Sequence, residues 1–183
     1  MHSRWNGYEE RSLLGCGVYP LRRTSGFTPA GPSARMDEVV ADAGEEDEQQ
    51  DIVDEALYLF KPHLLFRTFP IKGAGDRVIL YVTMYLHECL KKIANAKREE
   101  ASAALLNYAT VSFAIPGDVG FRFNGFFLVG DHAEREEWEA YARQLRVEAG
   151  FRLVEKVFMF PEKDGTGNKF WMAFAKRPFL PSE

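Results

Sequence analysis

The 183-residue chain is 46% hydrophobic and 27% charged, an ordinary globular composition that excludes a fibrous or wholly disordered polypeptide and suits one domain with its own core. Aromatic residues make up 14%, including 15 Phe, so rings left outside the core would favour a protein interface. Charge is uneven: −4 overall against −10 between Met36 and Glu55 leaves +6 elsewhere, which suits an acidic partner and is too weak and scattered to argue for nucleic acid.

Cys16 and Cys89 lie far apart, which is neither a disulfide framework nor a zinc spacing, and they read as free thiols of a reducing compartment. No apolar leader precedes Glu9 and Glu10. The longest apolar run, Val78 to Leu86, is nine residues, against about 20 for a membrane span. A cytosolic protein with no membrane contact is expected.

Residues 1–50 contain Gly15, Gly17, Pro20, Gly26, Pro29, Gly31 and Pro32 and no helical period. They read as an extended arm whose apolar stretch Leu13–Leu21 lies against the body. Residues 33–50 should be disordered, since low hydrophobicity and like charge cannot offset the entropy of ordering. The remainder, 51–183, is expected to be one helical domain. Asp51 can cap a helix carrying Ile52, Val53, Ala56, Leu57 and Phe60, and Pro62 should kink or break it. After a turn at Gly73-Ala74-Gly75, with Asp76 as a second cap, residues 77–93 are apolar nearly all round, the mark of a helix surrounded by others. An Ala-rich helix over 97–110 follows, then a turn-rich stretch through Ile115-Pro116-Gly117-Asp118-Val119-Gly120-Phe121. Asp131 and Glu134 have capping-box spacing, and Gly150 is placed to end that helix. From Phe151 the period reads as two. Phe151–Phe160 and Lys169–Lys176 therefore predict a C-terminal β-hairpin.

Chemistry-bearing motifs are sparse. Lys72-Gly73-Ala74-Gly75 and Asp164-Gly165-Thr166-Gly167 lack the full phosphate-loop spacing and read as turns. His2, His63, His87 and His132 share no ligand spacing, and no Gly-x-Ser-x-Gly turn exists. Glu45 to Glu48 lacks the alternation of a calcium loop. No catalytic residue, metal or cofactor is expected. The aromatic and basic segment Lys169–Leu180 fits a half-buried strand, a protein interface or a platform for nucleic-acid bases.

Several segments, taken in order, resemble a known family. Asp51-Ile52-Val53-Asp54-Glu55-Ala56-Leu57-Tyr58-Leu59-Phe60-Lys61 is similar to the first-helix signature of subunit 3, the roughly 21-kDa subunit, of the actin-related protein 2/3 complex. Glu88-Cys89-Leu90-Lys91-Lys92 resembles its second helix, and Ile115-Pro116-Gly117 with Gly120-Phe121 and Asn124 its central turn. Gly150, Arg152-Leu153, Glu155-Lys156-Val157-Phe158 and the set Trp171, Phe174, Lys176-Arg177 and Phe179 resemble its tail. The similarity spans about 14–180. Residues 1–13, 36–50, Pro62 and 161–168 depart from the pattern.

The resemblance implies a mainly α fold in which one helix is surrounded by the others, with a small β element. It also implies a non-enzymatic, hetero-oligomeric subunit of the cytoskeleton. Such a subunit packs on actin-related protein 3 and helps the complex bind a mother filament, nucleate actin and form a branch. Pro116, Gly117, Phe121, Lys156, Trp171, Lys176 and Arg177 are the residues expected to face partners. The other classes weighed are a small hydrolase or transferase, which would need His63, His87 or His132 beside a carboxylate in a pocket, and a single-strand nucleic-acid binder, against which the pI of 5.7 counts.

Overall fold

A computed structural model describes residues 1–8, 10–39, 50–66 and 69–179. It is mainly helical: α1 (Met36–Val39), α2 (Ile52–Phe66), α3 (Ala74–Lys92), α4 (Arg98–Thr110), α5 (His132–Val157) and α6 (Lys169–Met172). Single 3-10 turns cover Asn124–Phe126 and Ala173–Lys176. One two-stranded antiparallel sheet, β1 (Ser12–Leu13) and β2 (Cys16–Gly17), pairs Leu13 with Cys16.

Asp51 caps α2 as expected, its Oδ1 accepting the amides of Val53 and Asp54 at 3.0 Å. The helix is not broken at Pro62 but runs on to Phe66. Pro62 cannot donate to the carbonyl of Tyr58 four residues earlier, and Tyr58 is exposed, so that carbonyl lies on the water-facing side. Helix α3 begins at Ala74 rather than after Gly75. Asp76 sits inside its first turn, accepting from Lys72 N at 2.8 Å and Ser3 N at 2.7 Å. Val78, Leu80, Val82, Tyr85, Leu86, Cys89 and Leu90 are all buried, and α3 packs on α2, α4, α5, β2 and the C-terminal 3-10 turn.

The expected C-terminal hairpin is absent from the described residues. Helix α5 continues past Gly150 to Val157, and 169–176 form α6 and a 3-10 turn. The misreading has a physical cause. Arg152 looks like an outward polar position but is buried, so the stripe Ala149, Leu153, Val154, Val157 keeps the helical period. Gly150 is an approach point rather than a terminator: a Cβ there would stand 3.4 Å from Tyr85 Oη and 3.5 Å from Leu105 Cβ.

Near the N-terminus, Leu14 (φ 50°) and Gly15 (φ 80°) make the tight turn between β1 and β2, both with the positive φ such a turn needs. Leu13, Leu14, Cys16, Tyr19 and Leu21 are buried in the same apolar cluster as the helices. The stretch expected to be disordered begins otherwise: Ser33 and Met36 are buried, and 36–39 form α1. Anchoring accounts for this, since Ser33 Oγ donates to Tyr19 O at 2.7 Å and Met36 N to Leu21 O at 2.9 Å. Residues 40–49 of the acidic run lie outside the described residues.

Candidate functional site

A buried polar cluster holds the N-terminal segment to α2 and α5. Glu148 and Arg152 lie one turn apart on α5, and both are buried. Glu148 accepts from Thr24 Oγ1 (2.5 Å), Thr24 N (3.1 Å), Ser25 N (3.3 Å) and Thr28 Oγ1 (2.6 Å). Arg152 forks onto Asp51 at 2.6 and 2.8 Å, reaches Asp54 at 3.1 Å and Glu148 at 3.1 Å, and donates to Arg22 O at 2.9 Å. Burial opposes ionisation of Asp54, but Arg152 and Arg22 together hold its carboxyl below the usual range. One guanidinium thereby ties the segment at Arg22, the cap of α2 and the middle of α5. Every group in the cluster is matched, so it positions chain segments and leaves no reactive vacancy.

Glu134 makes a second tie. Asp131 caps α5 by accepting Glu134 N at 2.8 Å, while the Glu134 carboxylate reaches Leu14 N, also at 2.8 Å. The expected capping box is therefore half made, and its acid serves the β1–β2 turn instead. A second interior cation, Arg146, lies over the rings of Phe113 (4.1 Å), Tyr85 (4.5 Å) and Tyr108 (4.7 Å).

The stretch 115–124 is an anchored surface loop. Asp118 accepts from Ile115 N at 2.9 Å. Asn124 bridges across it, accepting from Gly117 N at 2.7 Å and donating to Asp118 O at 2.8 Å. Arg135 of α5 pairs with Asp118 and donates to Pro116 O. Gly117 is exposed at φ 97°, and Pro116 is buried. Phe121 points inward, stacked on Tyr81 and edge-on to Trp138 and Phe127, so its ring supports the loop from inside. Val119 on the loop, and Leu128 and Val129 just beyond its closing 3-10 turn, are exposed, and sequence reasoning did not select them. Aliphatic residues interleaved with the aromatics Phe121, Phe123, Phe126 and Phe127 were the available signal.

The four remaining expected residues fall on two elements. Lys156 is exposed on the last turn of α5. Trp171 is half-buried, stacked on Phe60 with Lys61 Nζ 4.3 Å from its ring centre. Lys176 and Arg177 are exposed, and the Arg177 carbonyl pairs with His87 Nε2 at 2.8 Å. Near them Met159, Phe160 and Phe170 are exposed.

His63, His87 and His132 stand on α2, α3 and α5 in unlike surroundings. His63 packs on Phe69 and His87 on Phe179, and burial pulls both below the usual imidazole value. His132 is exposed, 3.5 Å from Glu136. Burial pushes the Cys16 and Cys89 thiols up to about 12, so neither is poised as a nucleophile. Among the described residues no cluster of three His, Cys, Asp or Glu could hold a metal, and no helix is long and apolar enough to cross a membrane.

The body is helical, with ion pairs turned inward and apolar side chains exposed on its loops. Comparison with known proteins gives the family. A sequence model described as P21-Arc, the ARP2/3 complex ARPC3 (21 kDa) subunit, matches residues 1–183, and the chain belongs to that family. Actin-related protein 2/3 complex subunit 3 of Dictyostelium discoideum is 42% identical over 132 residues, covering 71% of this chain and 74% of the relative. The probable subunit 3 of Caenorhabditis elegans is 37% identical over 135 residues, 72% and 73%. That of Saccharomyces cerevisiae is 35% identical over 133 residues, 71% and 75%.

Proposed function

We propose that this chain is a non-catalytic structural subunit of an actin-related protein 2/3 complex. It packs on the actin-related protein 3 subunit and supports mother-filament binding, actin nucleation and branch formation in the cytoplasmic actin cytoskeleton. The observation that carries the reading is the family match along residues 1–183. Large apolar side chains exposed on and just after the anchored loop, Val119, Leu128 and Val129, favour a surface covered by protein. The chain works as an arm, residues 1–50, laid over a helical domain, 51–183, with α3 as its central helix. Gly117 on the loop, with Lys156, Trp171, Lys176 and Arg177, contributes to the partner surfaces, and Pro116 and Phe121 shape the loop from inside. No cofactor, nucleic acid or membrane enters this reading.

The test is a purified branching system reconstituted with and without the chain. Omission should lower the number of branches and their lifetime, and the chain should co-purify with two actin-related proteins. Unchanged branching rate and branch stability without it would sink the proposal. Reversing Lys176 and Arg177 to Glu should weaken assembly or filament affinity, and no change in either removes those two residues from the surface.

A further inference from the structure

Helices α4 and α5 come close at Gly150, where a Cβ would stand 3.5 Å from Leu105 Cβ, and a hollow of about 520 Å³ opens beside that contact. Buried Leu105, Val147 and Val154 line it, with half-buried Leu106. Two rings also line it and stay largely in solvent, Phe151 of α5 at 42% and Phe27 at 70% exposure. The walls are held from outside the hollow. Phe27 N donates to Ser25 Oγ at 3.2 Å, and Ser25 N donates to the buried Glu148 at 3.3 Å. Arg98 pairs with Glu155, tying the first turn of α4 to the end of α5. The shape is therefore set by contacts that the fold already makes.

Polar groups on the α4 side of the lining are few: Arg98, Glu99 and Ser102. The Arg98 guanidinium is taken up by Glu155, and Ser102 Oγ spends its proton on Arg98 O at 2.9 Å. Glu99 is exposed, and among the described residues no cation or hydrogen-bond donor is paired with its carboxylate. The uncommitted charge on this rim is thus negative. An apolar cavity within roughly 300–1,000 Å³, carrying a small number of polar groups, has the form of a small-molecule site.

We propose that the hollow between α4 and α5 binds a small hydrophobic amine, its aromatic body against Phe27, Phe151 and Leu105 and its ammonium at Glu99. Burial of the apolar body supplies most of the affinity. Charge complementarity at Glu99 selects a cation over a neutral or anionic ligand of the same shape. The site rests on its own observations and does not draw on the subunit reading above.

The probe is dansylcadaverine, a naphthalene sulfonamide with a primary amine on a short chain, titrated against the full chain and followed by its emission. Saturable binding with emission moved to shorter wavelength is expected. N-propyl dansylamide keeps the rings and lacks the amine, and should bind about threefold more weakly, the worth of one exposed ion pair. Glu99→Gln should cost the amine the same factor and leave the neutral probe unchanged. Ala103→Trp, at an exposed position lining the hollow, fills it and should abolish binding of both probes. Glu136→Gln, exposed near the start of α5, should alter neither. No saturable binding by wild type, equal affinity for the two probes, or undiminished binding by Ala103→Trp would overturn the site. The same titration on the assembled complex should still show the amine bound. Loss of binding on assembly would give the hollow to side chains of a partner protein, overturning the ligand site and leaving the subunit reading intact.

Discussion

Removing the Arg152 guanidinium should release the segment around Arg22 from α2 and α5. Arg152→Ala deletes the bonds to Asp51 at 2.6 and 2.8 Å, the contacts to Asp54 and Glu148, and the bond to the Arg22 carbonyl. Asp51 and Glu148 are fully buried, so their carboxylates would remain inside without a cation. Breaking a buried pair from one side costs about 3–5 kcal/mol. Against a total stability of roughly 5–15 kcal/mol this is a large fraction. For a chain of this size it corresponds to a fall in Tm of about 6–20 °C. Urea unfolding followed by circular dichroism measures it directly, as a lower midpoint with an unchanged slope. Arg152→Lys should recover only part, since an ammonium cannot fork onto Asp51. A loss below about 1 kcal/mol for Arg152→Ala would refute the account, because it would mean water or neighbours already compensate the two acids.

Three further outcomes follow from the interior. His63 and His87 are held below the ordinary imidazole value of about 6.5, so the unfolded chain takes up protons first and stability should decline as pH falls below that value. In chemical denaturation at pH 7 and pH 5.5, His87→Gln should flatten part of that decline, and identical pH profiles would contradict the assignment. Arg146→Met, which strips the cation from between Phe113, Tyr85 and Tyr108 and removes the donor to Tyr108 O at 2.5 Å, should lower stability by about 2–4 kcal/mol in the same assay. Asn124→Ala frees the Gly117 amide and the Asp118 carbonyl, and should speed hydrogen exchange across 115–124 while shifting the overall midpoint by about 1 kcal/mol or less.

What the sequence determined by itself is the part written in local chemistry. Asp51 and Asp131 announce helix starts because a short acceptor beside free amides acts within one turn. The all-round apolar run of α3 shows in composition because burial on every side leaves no polar stripe. The ordered segments around Asp51–Lys61, Ile115–Phe121 and Glu155–Phe158 were enough to suggest the family that the match over 1–183 then showed. What only the tertiary structure decided depends on partners distant in sequence. Arg152 is an inside residue because Asp51 lies 101 positions away and across from it, and without that partner its charge reads as an outward strand position. Gly150 continues a helix because Tyr85 and Leu105 press against it, and Glu134 leaves its own cap for Leu14. Phe121 passes from surface to core for the same reason, since Tyr81 and Trp138 receive it only once α3 and α5 are packed. Helix caps are settled over a few bonds of chain, whereas the sidedness of a charged or aromatic residue is settled by what the fold brings opposite it.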